Sequence, residues 1–114
     1  MDGIKVFSNI FDISHLDGTN EQFEKLLVSK RFLLERIVSF GHPSPEGFWY
    51  EQDQNEWVLL IKGSAVIEYS CGMEQILHEG DCIILPHHVK HRVKSVSSDA
   101  IWLALHYSDN VNLL

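Results

Sequence analysis

The residues in this chain best suited to chemistry are its histidines, seven in 114 residues, and a glutamate set among apolar neighbours. His91 alternates with Val93, while Arg92 and Lys94 share the opposite parity. A strand through this stretch turns His91 inward. Glu56 shares its parity with Val58 and Leu60, and a carboxylate on an apolar face is costly unless it is paired or bound to a metal. His106 alternates with Trp102 and Ala104, and His88 lies three residues before His91. Imidazole nitrogen and carboxylate oxygen are donors that zinc, iron, nickel and manganese accept. Suitably buried, Glu56 and His91 can equally serve as acid and base without a metal. An inward histidine is also explained as a hydrogen-bonded core residue. His15, His42, His78 and His87 fall at surface or loop positions. No G-x-S-x-G nucleophile elbow, phosphate-binding glycine loop or dinucleotide fingerprint is present.

The elements that must position these residues are strands. From Arg31 onward the runs Phe32–Phe40, Phe48–Gln52, Trp57–Lys62, Ala65–Tyr69, Met73–His78, Cys82–Leu85, Arg92–Val96 and Ile101–Tyr107 read as β-structure, separated by Gly, Pro, Asp, Asn and Ser. Eight short strands without intervening helices predict an all-β sandwich or barrel. Both faces of Trp57–Lys62, of Arg31–Phe40 and of Ile101–Tyr107 are apolar, so each needs cover on both sides. One cover is a barrel interior. The other is an N-terminal helix, a second sheet or another subunit, and a homodimer through one sheet is the expectation. The first part reads differently. Thr19-Asn-Glu-Gln22 has capping-box form, and Phe23, Leu26 and Leu27 follow at helical spacing, which predicts a short helix over 20–29. Ile4 to Phe11 reads as extended. The expected organisation is an N-terminal extension over residues 1–30 packed on a single barrel over residues 31–114.

Two segments carry a resemblance: Gly47-Phe-Trp-Tyr-Glu-Gln-Asp-Gln-Asn-Glu56-Trp-Val-Leu-Leu-Ile-Lys-Gly63 and Gly80-Asp-Cys-Ile-Ile-Leu-Pro86-His-His88-Val-Lys-His91. They resemble the paired motifs of the cupin superfamily, G-x5-H-x-H-x3/4-E-x6-G and G-x5-P-x-G-x2-H-x3-N. The resemblance implies a cupin-type double-stranded β-helix, the jelly-roll barrel, and a divalent metal held inside it by two histidines and the glutamate of the first motif and the histidine of the second. Glu56 and His91 match that pattern. The paired histidines do not: their positions are Tyr50 and Gln52 if three residues precede Glu56, or Trp49 and Glu51 if four do. His88 stands at the glycine of the second motif and Ser95 at its asparagine. The implied metal set is therefore Glu56 and His91 with Gln52, His88 and His106 as further donors, the ion being zinc, iron, manganese or nickel. Trp49 and Tyr50 line the barrel or its mouth. Three functions follow as expectations. The first is a metal-dependent enzyme acting on a small polar metabolite. The second is a metal-free module that binds or senses a small ligand. The third is a metal-free enzyme with Glu56 and His91 as catalytic acid–base groups.

Composition narrows the partners. Nine basic against sixteen acidic residues give a formal charge of -7, which argues against nucleic acid, whose binding rests on Lys and Arg. Lys90, Arg92 and Lys94 share one strand face and read as a solvated edge. No apolar run reaches membrane-spanning length, and the first residues show no secretory pattern. Cys71 and Cys82 form no CxxC pair, so a cytoplasmic protein is expected, with a disulfide between them left open.

Overall fold

Alternation of apolar side chains with period two fixes most of the strands, and pairing fixes the rest. The computed structural model describes residues 9–108. It contains β1 (Gln22–Val28), β2 (Phe32–Val38), β3 (Asn55–Lys62), β4 (Ala65–Tyr69), β5 (Glu74–Leu77), β6 (Cys82–Leu85), β7 (His91–Val96) and β8 (Ile101–Tyr107). They form a five-stranded sheet in the order β1-β2-β8-β3-β6 and a three-stranded sheet in the order β5-β4-β7, with all pairs antiparallel. The two sheets close a jelly-roll around a core of Val58, Leu60, Ala65, Ile67, Leu77, Leu85, Ala100, Trp102 and Ala104. Among the described residues no helix is long and apolar enough to cross a membrane.

The helix expected over 20–29 is not formed. Gln22–Val28 is instead an edge strand hydrogen-bonded to β2, with a bulge between Lys25 and Leu27. The bulge explains the misleading spacing. One extra residue in a strand shifts its parity, so the apolar residues Phe23, Leu26 and Leu27 imitate a helical stripe. The capping hydroxyl is also engaged elsewhere: Thr19 donates both its backbone N–H and its Oγ1 to Asp17 Oδ1, at 3.0 and 2.9 Å. The extended run expected at Ile4 to Phe11 lies, up to residue 8, outside the described residues, and Ile10 and Phe11 sit in a turn. Phe48–Gln52 is not a full strand either. Its one β-bridge joins Tyr50 to His91.

The sidedness of the strands decides what enters the barrel. In β3 the buried residues are Glu56, Val58 and Leu60. Their register partners on β8 are His106, Ala104 and Trp102, and Leu33, Glu35 and Ile37 of β2 stand on the same face. The opposite face carries Trp57, Leu59, Leu103 and Leu105, all half-buried. It also carries Arg36, whose buried guanidinium donates to the backbone carbonyls of Asn9, Ile10 and Asp12 and to Glu24. The chain before β1 thus covers part of the outer face. Gly63, which ends β3, has φ +92°, and a Cβ there would lie 2.8 Å from the Ala100 backbone and against Ser97 Oγ. Only glycine allows the β3–β4 turn to pack so close to the β7–β8 turn.

Candidate functional site

Strand order brings Glu56 (β3), His106 (β8) and Glu35 (β2) onto adjacent strands with side chains on one face. The loop 39–54 then crosses the open end of the barrel. Its Tyr50 exchanges backbone hydrogen bonds with His91, Tyr50 N–H to His91 O at 2.8 Å and His91 N–H to Tyr50 O at 3.1 Å. Two residues further on, the Gln52 carbonyl accepts the His88 N–H at 2.8 Å. These bonds settle the register that the sequence left open. Tyr50 and Gln52 turn inward. Trp49 and Glu51 turn outward, with Trp49 lying under the Arg92 guanidinium at 5.9 Å and Glu51 near His88 and Lys90.

The result is a cavity of about 260 Å³ lined by Glu21, Phe23, Glu35, Ile37, Tyr50, Gln52, Glu56, Val58, Ile67, Leu85, His91, Val93, Trp102 and His106. One polar chain runs along its wall. Gln52 Nε2 donates to Glu56 Oε1 at 3.0 Å. His106 Nδ1 donates to Gln52 Oε1 at 3.0 Å, and His106 Nε2 donates to Glu35 Oε1 at 2.8 Å. Both imidazole nitrogens face acceptors, an arrangement that suits the imidazolium form. The hydrogen bond to Glu35 accordingly raises the His106 pKa, against the opposing effect of burial. Glu56, 7% exposed, is pushed up by desolvation, which outweighs the neighbouring His106 and His91. His91, also 7% exposed, is held by its Nδ1, 3.1 Å from the Val89 carbonyl, and its ring stacks on Tyr50 with centroids 5.8 Å apart. A carbonyl at Nδ1 accepts a hydrogen bond from Nδ1–H, so neutral His91 presents Nε2 as an acceptor.

Of the residues expected at the site, Glu56, His91, Gln52, His106 and Tyr50 meet at this cavity, and two do not. The His88 side chain is 59% exposed, and its backbone holds φ +63°. It keeps the left-handed turn that the family fills with glycine, and that geometry turns the ring out to solvent. Trp49 lies outside the cavity, because the Tyr50 bridge gives the inward side to its neighbour. Arg92 also departs from expectation. It is half-buried rather than solvated, donating to Glu68 and to the carbonyls of Ser44 and Pro45. Two lining carboxylates escaped the sequence reading. Glu35 shares its parity with Leu33 and Ile37, the same signal that marked Glu56. Glu21 fell within the expected helix start, where strand parity was not sought.

The donor set can be tested against a divalent metal. His106 spends both nitrogens on Glu35 and Gln52, and Glu56 spends one oxygen on Gln52. The unspent donors are the second Glu56 oxygen and His91 Nε2, two where a protein metal site uses three or four. Among the described residues no three His, Cys, Asp or Glu side chains are grouped to hold a metal ion. In this arrangement the residues do not fit the group that the family pattern implies.

Two antiparallel sheets closed as a jelly-roll, with a cavity lined by the second-motif histidine, define the cupin class of barrel. The Cupin domain family model matches residues 41–106, and the chain belongs to that family. Among solved structures, a protein of Ralstonia eutropha JMP134, provisionally named a mannose-6-phosphate isomerase, is 35% identical over 92% of this chain and 100% of its own, with a TM-score of 0.84. A cupin superfamily protein of Desulfitobacterium hafniense DCB-2 is 18% identical over 80% of each chain, with a TM-score of 0.66. HppE in its iron(II) form is 14% identical over 77% of this chain and 50% of its own, with a TM-score of 0.65. The last two likenesses show the fold alone. A search of the curated proteins finds no match.

Proposed function

We infer that the barrel binds a small polar metabolite directly, without a metal, with Glu56 and His91 as the groups that engage it. The observation that carries this reading is the division of labour along the cavity wall. Gln52, His106 and Glu35 satisfy one another, while one oxygen of Glu56 and Nε2 of His91 keep no protein partner among the described residues. Val58, Ile67, Leu85 and Val93 give the same space an apolar floor. Small-molecule sites are concave, largely apolar and furnished with a few convergent polar groups. Burial raises the proton affinity of Glu56, which suits it to proton exchange with a bound molecule, so acid–base turnover by Glu56 and His91 is open to the same site.

A second reading, isomerisation of a sugar phosphate, has in its favour the name given to the Ralstonia eutropha protein and its 35% identity. Against it, neither lysine nor arginine lines the cavity among the described residues, and phosphate recognition rests on those side chains. The reading extends to a homodimer through the half-buried apolar face of Trp57, Leu59, Leu103 and Leu105, and to a reducing, cytoplasmic setting supported by the free, exposed Cys71 and Cys82.

The test is a binding and turnover screen on purified protein, with metal analysis of the same sample. Expected are a metal content far below one ion per chain, and ligand binding that survives chelator and is lost in His91→Ala. Stoichiometric metal that disappears in His91→Ala would overturn the metal-free reading. Chelator-sensitive turnover of mannose 6-phosphate would favour the second reading.

A further inference from the structure

We propose that the cavity selects a small organic cation, an ammonium-bearing metabolite, over neutral or anionic molecules of the same size; this rests on reading the cavity as a small-ligand site. Three carboxylates, Glu21, Glu35 and Glu56, belong to the lining, with neither lysine nor arginine beside them among the described residues. Lys25, the register partner of Glu35 on β1, is exposed and lies outside the lining. The His106 charge is already matched by Glu35 at 2.8 Å. Glu56 and Glu21 therefore face the cavity without a dedicated cation among the described residues. Glu56 takes its hydrogen bond from the neutral amide of Gln52. Glu21 takes one from the Ser39 hydroxyl at 3.3 Å, which in turn accepts Trp102 Nε1–H at 2.9 Å.

Hydrogen-bond polarity points the same way independently of charge. His91 is more than nine-tenths buried and commits Nδ1 to the Val89 carbonyl, so in the neutral ring the nitrogen left for the cavity is a lone-pair acceptor. The free oxygen of Glu56 is an acceptor too. A ligand satisfying both must bring donors. An ammonium brings three N–H donors together with the charge, a hydroxyl brings one, and a carboxylate or phosphate dianion brings none. The rings of Phe23, Tyr50 and Trp102 complete the wall, and aromatic faces attract cations. The volume of about 260 Å³ suits a short amine.

Calorimetric titration of the full chain with a size-matched series at low ionic strength tests the proposal, using putrescine, aminobutanol, butanediol and hydroxybutyrate as probes. The two amines are expected to bind at least about tenfold more tightly than the diol, the size of one charge-assisted hydrogen bond, and hydroxybutyrate is expected not to bind. Glu56→Gln should lose about tenfold in amine affinity and clearly less than that in diol affinity, so that the preference for the amines narrows. Glu21→Gln, made separately, repeats the test at the other carboxylate, and thermal melts show whether each variant is folded. Binding of the diol or the anion as tightly as the amines would overturn the cation preference and leave the small-ligand reading standing. No binding by any of the four would overturn the preference as well, while the broader screen decides separately on the pocket.

Discussion

His106 donates its Nε2–H to Glu35 at 2.8 Å, a diagonal contact between neighbouring strands β8 and β2. His106 is also the register partner of Glu56 on β3, so it stands between two carboxylates and hydrogen-bonds only one of them. The other is reached through Gln52. This choice removes His106 from the pool of open donors and leaves His91 as the imidazole that a ligand can meet.

The Glu35–His106 pair makes stability depend on pH. The hydrogen bond raises the folded pKa of His106 above its usual 6.5, so the folded state holds this proton more tightly than the unfolded chain. The pair's contribution is complete below about 6.5 and is lost as pH rises through the folded value. Melting temperatures followed upward from pH 6 should fall in the native protein. In Glu35→Gln that slope should flatten, with a cost of about 1–3 kcal/mol at the acid end. A slope that Glu35→Gln leaves unchanged would place its origin elsewhere.

Glu56 should be a site where function is held at the expense of stability. Desolvation raises its pKa above the usual 4.5, so the ionised form destabilises the fold, and the penalty grows as pH rises through the folded value. Glu56→Gln is expected to raise stability at pH 7 by about 1 kcal/mol, as relief of strained functional positions commonly does, and to weaken ligand binding. Urea denaturation at pH 7 measures the first effect. A loss of stability would show that the charge is better compensated than its surroundings indicate.

His88 occupies a left-handed backbone position at φ +63° with its ring in solvent. His88→Gly should leave ligand binding and metal content unchanged, and should hold or raise stability by up to about 1 kcal/mol, since a side chain there costs about that much. Altered binding in this variant would draw the ring back into the site.

Gly63 should be intolerant. Alanine would put a methyl group 2.8 Å from Ala100 at φ +92°, combining backbone strain with a clash. A loss of about 3 kcal/mol is expected for Gly63→Ala, read as a large drop in denaturation midpoint. Near-native stability would mean that the β3–β4 turn can shift as a unit.

Much of this molecule is legible without coordinates. Strand alternation turned Glu56, His91 and His106 inward, and the spacing Glu56-x6-Gly63 with Gly80-x5-Pro86 pointed to the cupin barrel. These are local properties: parity follows from the pleat, and glycine and proline act on their own backbone. The tertiary structure decided what local pattern cannot. It set β1 as an edge strand, because pairing with β2 and one bulge override a helical-looking stripe. It chose Tyr50 and Gln52 over Trp49 and Glu51, because the hydrogen bonds between Tyr50 and His91 fix a register that two spacings allowed equally. It brought in Glu35 from β2, since only strand order makes β2 the neighbour of β8. The identity of the inward residues is written along the chain, but which donors remain unspent depends on partners far apart in sequence, and that balance gives the cavity its chemistry.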